Sequence, residues 1–387
     1  MRLRFIWEVA LLSLLASLLA TGQTTARLKT SETSLQLGAG PAAPQIVAVQ
    51  SAGNTWTNRS PARLIDAVYI NGQTLPLRWQ FKPQAGSIDS HRVAFIYENE
   101  TPHLRLTWEW QARAGFGPIE HQIHIENLDN REVWLPLQDS FQFDWQIKSD
   151  SALEQVFVEK GAGTPSDVGT HRVSLVNGYK WQGTSSTYAH PKDNEPREII
   201  PWFLVQETGG SRNGWYVGIE FSGRTRLSLS READSLKGSA GLNGNPGPFR
   251  TRLGPGEVFL TPTIFLGAFR GGADVAGNIL RRWVRAVLGN PLTWENPNYP
   301  LTVNNSWGGG MKVDEQIAKR MISDSAELGL EMFHIDAGWF RGVGDWYSNP
   351  EKFPHGLAVI ADDAHQHGLK FGLWVDWTQA ALDTQPG

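Results

Sequence analysis

The stretch Leu328-Gly-Leu-Glu-Met-Phe-His-Ile-Asp-Ala-Gly-Trp339 decides how the second half of this chain folds. Met332 to Trp339 reads as a strand, with Phe333 and Ile335 on one face and His334 and Asp336 on the other. Before it, Asp314 to Leu328 has helical periodicity and stops at Gly329. After it come a loop and helix from Gly356 to His367, stopped by Gly368, and a strand from Lys370 to Trp377. An earlier strand spans Leu301 to Trp307. Strand, helix, strand, helix, strand is the opening of a parallel α/β unit.

Upstream the period changes. Asp274 is placed to cap a helix whose stripe is Val275, Ile279, Leu280, Trp283, Val284 and Val287, and Gly289-Asn-Pro291 stops it. Before that helix the chain reads as short strands. In His103-Leu-Arg-Leu-Thr-Trp-Glu-Trp-Gln111, apolar and polar residues alternate; Ala114-Gly-Phe-Gly-Pro118 turns the chain, and Glu120 to Glu126 returns as a hairpin partner. Similar runs recur at Ala67–Ile70, Arg92–Tyr97, Val133–Leu137, Trp202–Gln206, Trp215–Phe221, Arg226–Ser230 and Val258–Phe265. Many short strands punctuated by Gly, Pro, Asn and Asp imply a large β-sandwich, preceded by a polar stretch from Thr24 to about Thr33.

A chain of 387 residues is long enough for two or three domains at roughly 100–200 residues each. Hydrophobic residues make up 40%, enough for packed cores, and a formal charge of −4 with no basic run excludes a nucleic-acid surface or a polybasic membrane patch. With no cysteine, disulfide and thiolate chemistry are excluded for this chain. The abundant residues are 17 Trp and 40 Gly, and flat indole faces suit the C–H face of a sugar. Arg2 and Arg4 followed by the uncharged run Val9 to Ala20 have the layout of a secretory signal peptide, with Glu8 as its one blemish. Cleavage after Gly22 or Ala26 fits the small-residue rule, and a secreted or periplasmic protein without a membrane span is expected.

Active sites of (β/α)8 barrels lie at the C-terminal ends of the strands. Read on that basis, the second parallel strand delivers Asp336 and the third delivers Trp374 and Asp376, on the face opposite Phe371, Leu373 and Val375. The first ends in Asn304-Asn305-Ser306-Trp307, Trp339 closes the second, and the loop after it holds Asp345-Trp346. Carboxylates bond vicinal hydroxyls and indoles stack on sugar C–H faces, so this mixture suits a neutral polyol better than a phosphate or an anion. A strand-end Asp also caps helices and a lone Trp is also core, which is the blander reading of each residue. His365 and His367 sit two apart on a helix and diverge, so they read as a solvated face; no metal site, cofactor loop or Gly-x-Ser-x-Gly elbow is seen.

At these residues the chain resembles glycoside hydrolase family 36, the melibiase or α-galactosidase family. The segments are Asn305-Ser-Trp307, Glu327-Leu-Gly-Leu-Glu-Met-Phe333, Asp336-Ala-Gly-Trp-Phe340, Gly344-Asp-Trp-Tyr347, Phe353-Pro-His-Gly-Leu357 and Gly368-Leu-Lys-Phe-Gly-Leu-Trp374, in family order and spacing. Upstream, Gly183-Thr-Ser-Ser186, Gly214-Trp-Tyr-Val-Gly-Ile-Glu220 and Leu253-Gly-Pro-Gly-Glu257 resemble the family's N-terminal domain.

The resemblance implies a multi-domain β plus α/β protein. A signal peptide (1–26) precedes a β-supersandwich (27–272), a linker helix and connection (273–299), and the first three β/α units of a truncated TIM barrel (300–387). It also implies retaining hydrolysis of terminal α-linked galactosyl residues, substrate contacts from Asp336 and Trp374, and possible assembly into homo-oligomers, since family members often assemble. Trp307, Asn305, Trp339, Trp346 and Asp376 complete the candidate substrate-binding set. The nucleophile and acid/base aspartates are expected beyond residue 387. Lys148-Ser-Asp150 and Lys312-Val-Asp314 share only part of the nucleophile motif, so no catalytic pair is assigned within the chain.

Two positions depart from the family. Ala337 replaces a second Asp, and Asp376-Trp377 replaces Glu-Pro. The first removes a hydroxyl contact and opens the alternative of a different α-linked sugar, such as N-acetylgalactosamine. A non-catalytic carbohydrate-binding protein is the alternative from another class.

Overall fold

The computed structural model describes residues 24–384 apart from 52, 161–168, 187–196, 211, 246, 291–292, 294, 297–298, 378 and 383. The expected signal peptide therefore lies almost wholly outside the described residues. The chain divides after Leu288 into two compact units.

In the first unit every described strand pairing is antiparallel, as the turn-rich pattern requires. The hairpin is Leu104–Gln111 against Ile119–Asn127, in register from Leu104↔Asn127 to Gln111↔Glu120, and Leu104, Leu106, Trp108 and Trp110 are all buried. Gly117 turns the chain at φ +82°, and a Cβ there would lie 2.8–2.9 Å from the Trp283 side chain, so backbone conformation and packing both require glycine. The hairpin sits in a sheet of eleven described strands.

A smaller sheet runs in the spatial order Phe141–Gln146, Ser235–Leu242, Thr225–Glu232, Lys180–Ser185. Its Phe143 and Trp145 pack edge-on to Trp215 of the large sheet, with centroids 5.0 and 6.0 Å away, and Phe203 meets the same indole at 5.6 Å. Each such pair contributes about 0.5–1.5 kcal/mol beyond its burial. Among the described residues eight tryptophans are buried, seven of them in this unit. Much of the tryptophan that suggested sugar binding is therefore core.

Four expectations change here. Thr24–Lys29, read as a polar stretch, is an edge strand paired with Ser34–Ala39, because Ala26 and Leu28 alternate inward between polar neighbours. The run Val258–Phe265 is two strands, Val258–Leu260 and Thr263–Phe269, since Pro262 has no N–H for the ladder. The helix spans Ala273–Trp283 with Gly272 at its N-cap, which puts Asp274 inside the first turn, and it continues as a π-helical turn, Val284–Leu288. Finally, Ala276, Ile279 and Trp283 are buried with Tyr216, Phe265 and Phe269, so this helix belongs to the core of the first unit and not to a free connection.

The second unit holds three parallel strands, Val303–Asn305, Met332–Ile335 and Lys370–Leu373, with the middle one in sequence also central in the sheet. Helix Glu315–Glu327 is capped by Asp314, whose carboxylate accepts from the Ile317 N–H at 2.8 Å. Helix Ala358–Gln366 follows. Ala318, Ile322, Ile360 and Ala364 on the helices share a core with Phe333 and Ile335 on the central strand.

All three strands are shorter than expected. After Asn305 the chain winds into 3-10 turns over Ser306–Lys312, after Ile335 it turns, and past Leu373 it leaves the sheet. Val375 consequently does not pack against the helices: it is exposed, as is Trp377.

Candidate functional site

The C-terminal tips of the first two parallel strands meet through side chains. Asn305 Nδ2 donates to Asp336 Oδ2 and lies equally close, at 2.9 Å, to His334 Nδ1. Asn305 Oδ1 accepts from the Trp307 N–H at 2.7 Å, which fixes the side-chain amide's orientation. The Asp336 N–H donates to buried Ser306 Oγ at 2.9 Å, and Asp336 Oδ1 accepts from the Ala337 N–H at 2.7 Å. Each carboxylate oxygen thus accepts one bond from the protein, and a carboxylate has about four lone-pair sites. Acceptor capacity remains for hydroxyls of a ligand.

The loop after Asp336 is built to hold this position. Gly338 has φ +111°, and a Cβ there would come within 2.7–3.0 Å of the Met311 backbone. Lys352 Nζ donates to the carbonyls of Met311 and Gly338, at 2.6 and 2.8 Å, clamping the two segments together. His334 stands opposite Gly372 in register, and a Cβ on Gly372 would overlap the end of the Met332 side chain and lie 2.9 Å from the imidazole, so the glycine leaves room for both.

The remaining candidates divide by exposure. Trp307 is 54% exposed beside Asn305. Trp346 and Trp374 are half-buried, with ring centroids 6.1 Å apart, and Phe340 stacks on Trp374 at 6.0 Å. The Trp374 N–H donates to the Ile335 carbonyl at 2.8 Å, which sets its backbone level with Asp336. Asp376 is half-buried beyond the end of the strand. Trp339 is 3% exposed; its Nε1 donates to the Trp374 carbonyl at 2.9 Å, and the ring lies in the unit's core. Its expected contact with substrate is corrected to support of Trp374, because the chain turns at Gly338 and swings the indole inward.

Sequence reasoning passed over Ser306 and Lys352. Ser306 lies within the expected tip Asn304–Trp307 but was not counted among the site residues; no signal near Asp336 pointed to Lys352, 16 positions on. His367, read as a solvated residue, has Nδ1 2.9 Å from the Asp363 carbonyl oxygen on its own helix. Among the described residues no group of three or more His, Asp or Glu could hold a metal ion. None of the described helices is long and apolar enough to cross a membrane.

Known proteins resemble this chain in sequence and in fold. The melibiase family profile matches residues 259–385. α-Galactosidase Mel36A of Lactobacillus acidophilus is 26% identical over 274 residues, covering 67% of this chain and 35% of that protein. α-Galactosidase C of Emericella nidulans is 27% identical over 285 residues, covering 66% and 34%. Among solved structures, the family 36 α-galactosidase AgaA of Geobacillus stearothermophilus superposes with a TM-score of 0.74 at 17% identity, over 91% of this chain and 56% of that one. The matched region spans about a third of the curated relatives' length and just over half of the solved chain. Profile, relatives and fold agree with the order of the motifs from Asn305 to Trp374: residues 259–385 match the melibiase family, and the chain is similar to α-galactosidases of glycoside hydrolase family 36.

Proposed function

We propose that this chain is part of an exported retaining α-galactosidase, formed of a β-supersandwich followed by the opening strands of a (β/α)8 barrel. The observation that carries this reading is the Asn305–Asp336 pair at the tips of adjacent parallel strands, where barrel enzymes bind substrate. Two solved relatives from Geobacillus stearothermophilus hold raffinose and stachyose, which supports an oligosaccharide with a terminal α-galactosyl residue as substrate.

On this reading Asp336 accepts hydrogen bonds from sugar hydroxyls, Asn305 holds the carboxylate in place, and Trp307 and Trp374 offer apolar faces to the ring. Retention needs two further carboxyls about 5–5.5 Å apart, one attacking the anomeric carbon and the other protonating the leaving oxygen, then deprotonating water. We place both in barrel strands beyond Gly387, consistent with the greater length of the relatives.

The test is hydrolysis of raffinose by the full-length enzyme, with the released sugar's anomeric configuration followed by NMR. Release of α-galactose from wild type, with kcat/KM reduced at least about tenfold in Asp336→Ala, supports the reading. No hydrolysis, or release of β-galactose, overturns it.

Ala337 favours a second reading. Its side chain is a methyl group, 7% exposed, where the family has a carboxylate, so one polar anchor for the sugar is missing. That favours a different α-linked sugar, such as N-acetylgalactosamine, and a higher kcat/KM on aryl α-N-acetylgalactosaminide than on aryl α-galactoside would establish it.

A further inference from the structure

The first unit carries a cleft of about 660 Å³ on the outer face of its small sheet, formed by residues to which neither the family motifs nor the reading above gives a role. Alternation dictates its floor. Phe141, Phe143 and Trp145 face the core, so their neighbours Gln142 and Asp144 face outward. Across the sheet, Gln142 pairs with Ser239, Ser239 with Ser228 and Ser228 with Gln182. The next row is Asp144, Lys237, Ser230 and Lys180.

Three of the four central positions in these rows are serines, while longer side chains occupy the outer strands. The sheet is therefore hollowed along its middle, and the segment from Ser60 to Arg63 adds a wall. The serines are linked, with Ser228 Oγ 2.9 Å from Ser239 Oγ, and Arg226 donates to Ser239 Oγ at 3.0 Å. Such a hydroxyl floor offers both donors and acceptors, and Gln142 Oε1 is buried there without a hydrogen-bond partner among the described residues.

The charges are asymmetric. Both carboxylates are committed: Asp139 accepts from Arg226 at 2.6 Å, and Asp144 accepts from Ser235 at 2.5 Å and lies 3.5 Å from Arg59. Lys180 and Arg63 are exposed and make no ion pair among the described residues. Lys180 lies on one outer strand of the four-stranded sheet and Arg63 on the wall segment outside the strands; the two outer strands are three spacings of about 4.8 Å apart, or roughly 14 Å. Lys237 is paired with Glu232 at 3.4 Å, and the charge of Arg63 is felt by Asp139 without a salt bridge to it. A hydroxyl-rich floor beside Lys180 and Arg63 suits a short sugar chain with acidic groups. We propose that this cleft is a second carbohydrate site, separate from the Asp336 cluster, that takes an acidic oligosaccharide: hydroxyls on the serine and glutamine floor and carboxylates on Lys180 and Arg63.

The experiment is calorimetric titration of the full chain with a galacturonate trisaccharide and, in parallel, with neutral maltotriose. The acidic trisaccharide is expected to bind at least about tenfold more tightly than the neutral one. Lys180→Glu and Arg63→Glu should each weaken it at least about tenfold at unchanged melting temperature, and Ser230→Gln, which fills the trough with a polar side chain, should block it. Asp336→Ala should leave this binding unchanged, which separates the cleft from the barrel-strand site. Binding that is absent up to about 10 mM, equal for the two sugars, insensitive to Lys180→Glu and Arg63→Glu, or lost in Asp336→Ala would overturn the proposal.

Discussion

Asn305 and Asp336 are 31 residues apart in sequence, yet a 2.9 Å hydrogen bond joins their side chains across neighbouring strand tips. The bond orients the carboxylate without consuming its acceptor capacity. If it positions a substrate-binding group, Asn305→Ala should raise the KM of the full-length enzyme for raffinose several-fold with little change in melting temperature. Asp336→Ala and Trp374→Ala should each cost at least about tenfold in kcat/KM, or roughly 1.4 kcal/mol. Unchanged steady-state kinetics in all three would remove these residues from the site.

Gly338→Ala tests the loop. The new methyl would meet the Met311 backbone, which cannot rotate away as a side chain can, at a φ that L-residues rarely adopt. A loss of about 2 kcal/mol or more in the second unit is expected, with lost activity, by urea denaturation and assay.

Trp339 and Trp307 should respond oppositely. Trp339→Ala empties a core position and should destabilise the fold by about 3–5 kcal/mol. Trp307→Ala alters an exposed ring and should leave stability within about 0.5 kcal/mol while raising KM. Matching stability losses would contradict the assignment of one to the core and the other to the rim.

Half-buried Glu220 and buried His121 in the first unit pull its pH dependence in opposite directions. Burial, then the hydrogen bond and charge of Glu120, push the Glu220 carboxyl up to about 8 from 4.5. The folded state therefore binds more protons than the unfolded one between those values, and stability falls as pH rises. Burial pushes His121 down from 6.5 to about 3, so there the unfolded state binds more protons and stability falls as pH drops. The two slopes oppose each other between 4.5 and 6.5. Thermal melts should show a plateau across that window with declines on both sides. Glu220→Gln should remove the alkaline decline, and an unchanged profile in that variant would refute the assignment.

The edge strand Thr24–Lys29 bears on the proposed export. Cleavage after Ala26 would delete half of it, including pairing partners of Leu37, Gly38 and Ala39, whereas cleavage after Gly22 keeps the strand whole. N-terminal sequencing of exported protein should therefore begin at Gln23.

Much of the fold was legible because alternation and turn residues are local signals: Ala67–Ile70 and the Leu104–Asn127 hairpin needed nothing beyond their own period. Strand ends were less legible. Residues 336–339 and 374–377 continue an alternating pattern, but Gly338 and the departure after Leu373 break it through contacts that lie elsewhere in sequence. The same limit explains the site. Asp336 and Asn305 are strand-tip residues and could be nominated, whereas the Lys352 clamp depends on two loops meeting in space. Composition misled in one respect, since tryptophan serves burial in a core as readily as it serves a sugar.

That core has an optical consequence. Seven of the eight buried indoles lie in the first unit, and those of Trp56, Trp110, Trp145, Trp215 and Trp283 have Nε1 without a hydrogen-bond partner among the described residues. Indole emission shifts to shorter wavelength in apolar surroundings, so the blue edge of the protein's fluorescence reports chiefly on the first unit, while the second could melt with little change in that signal.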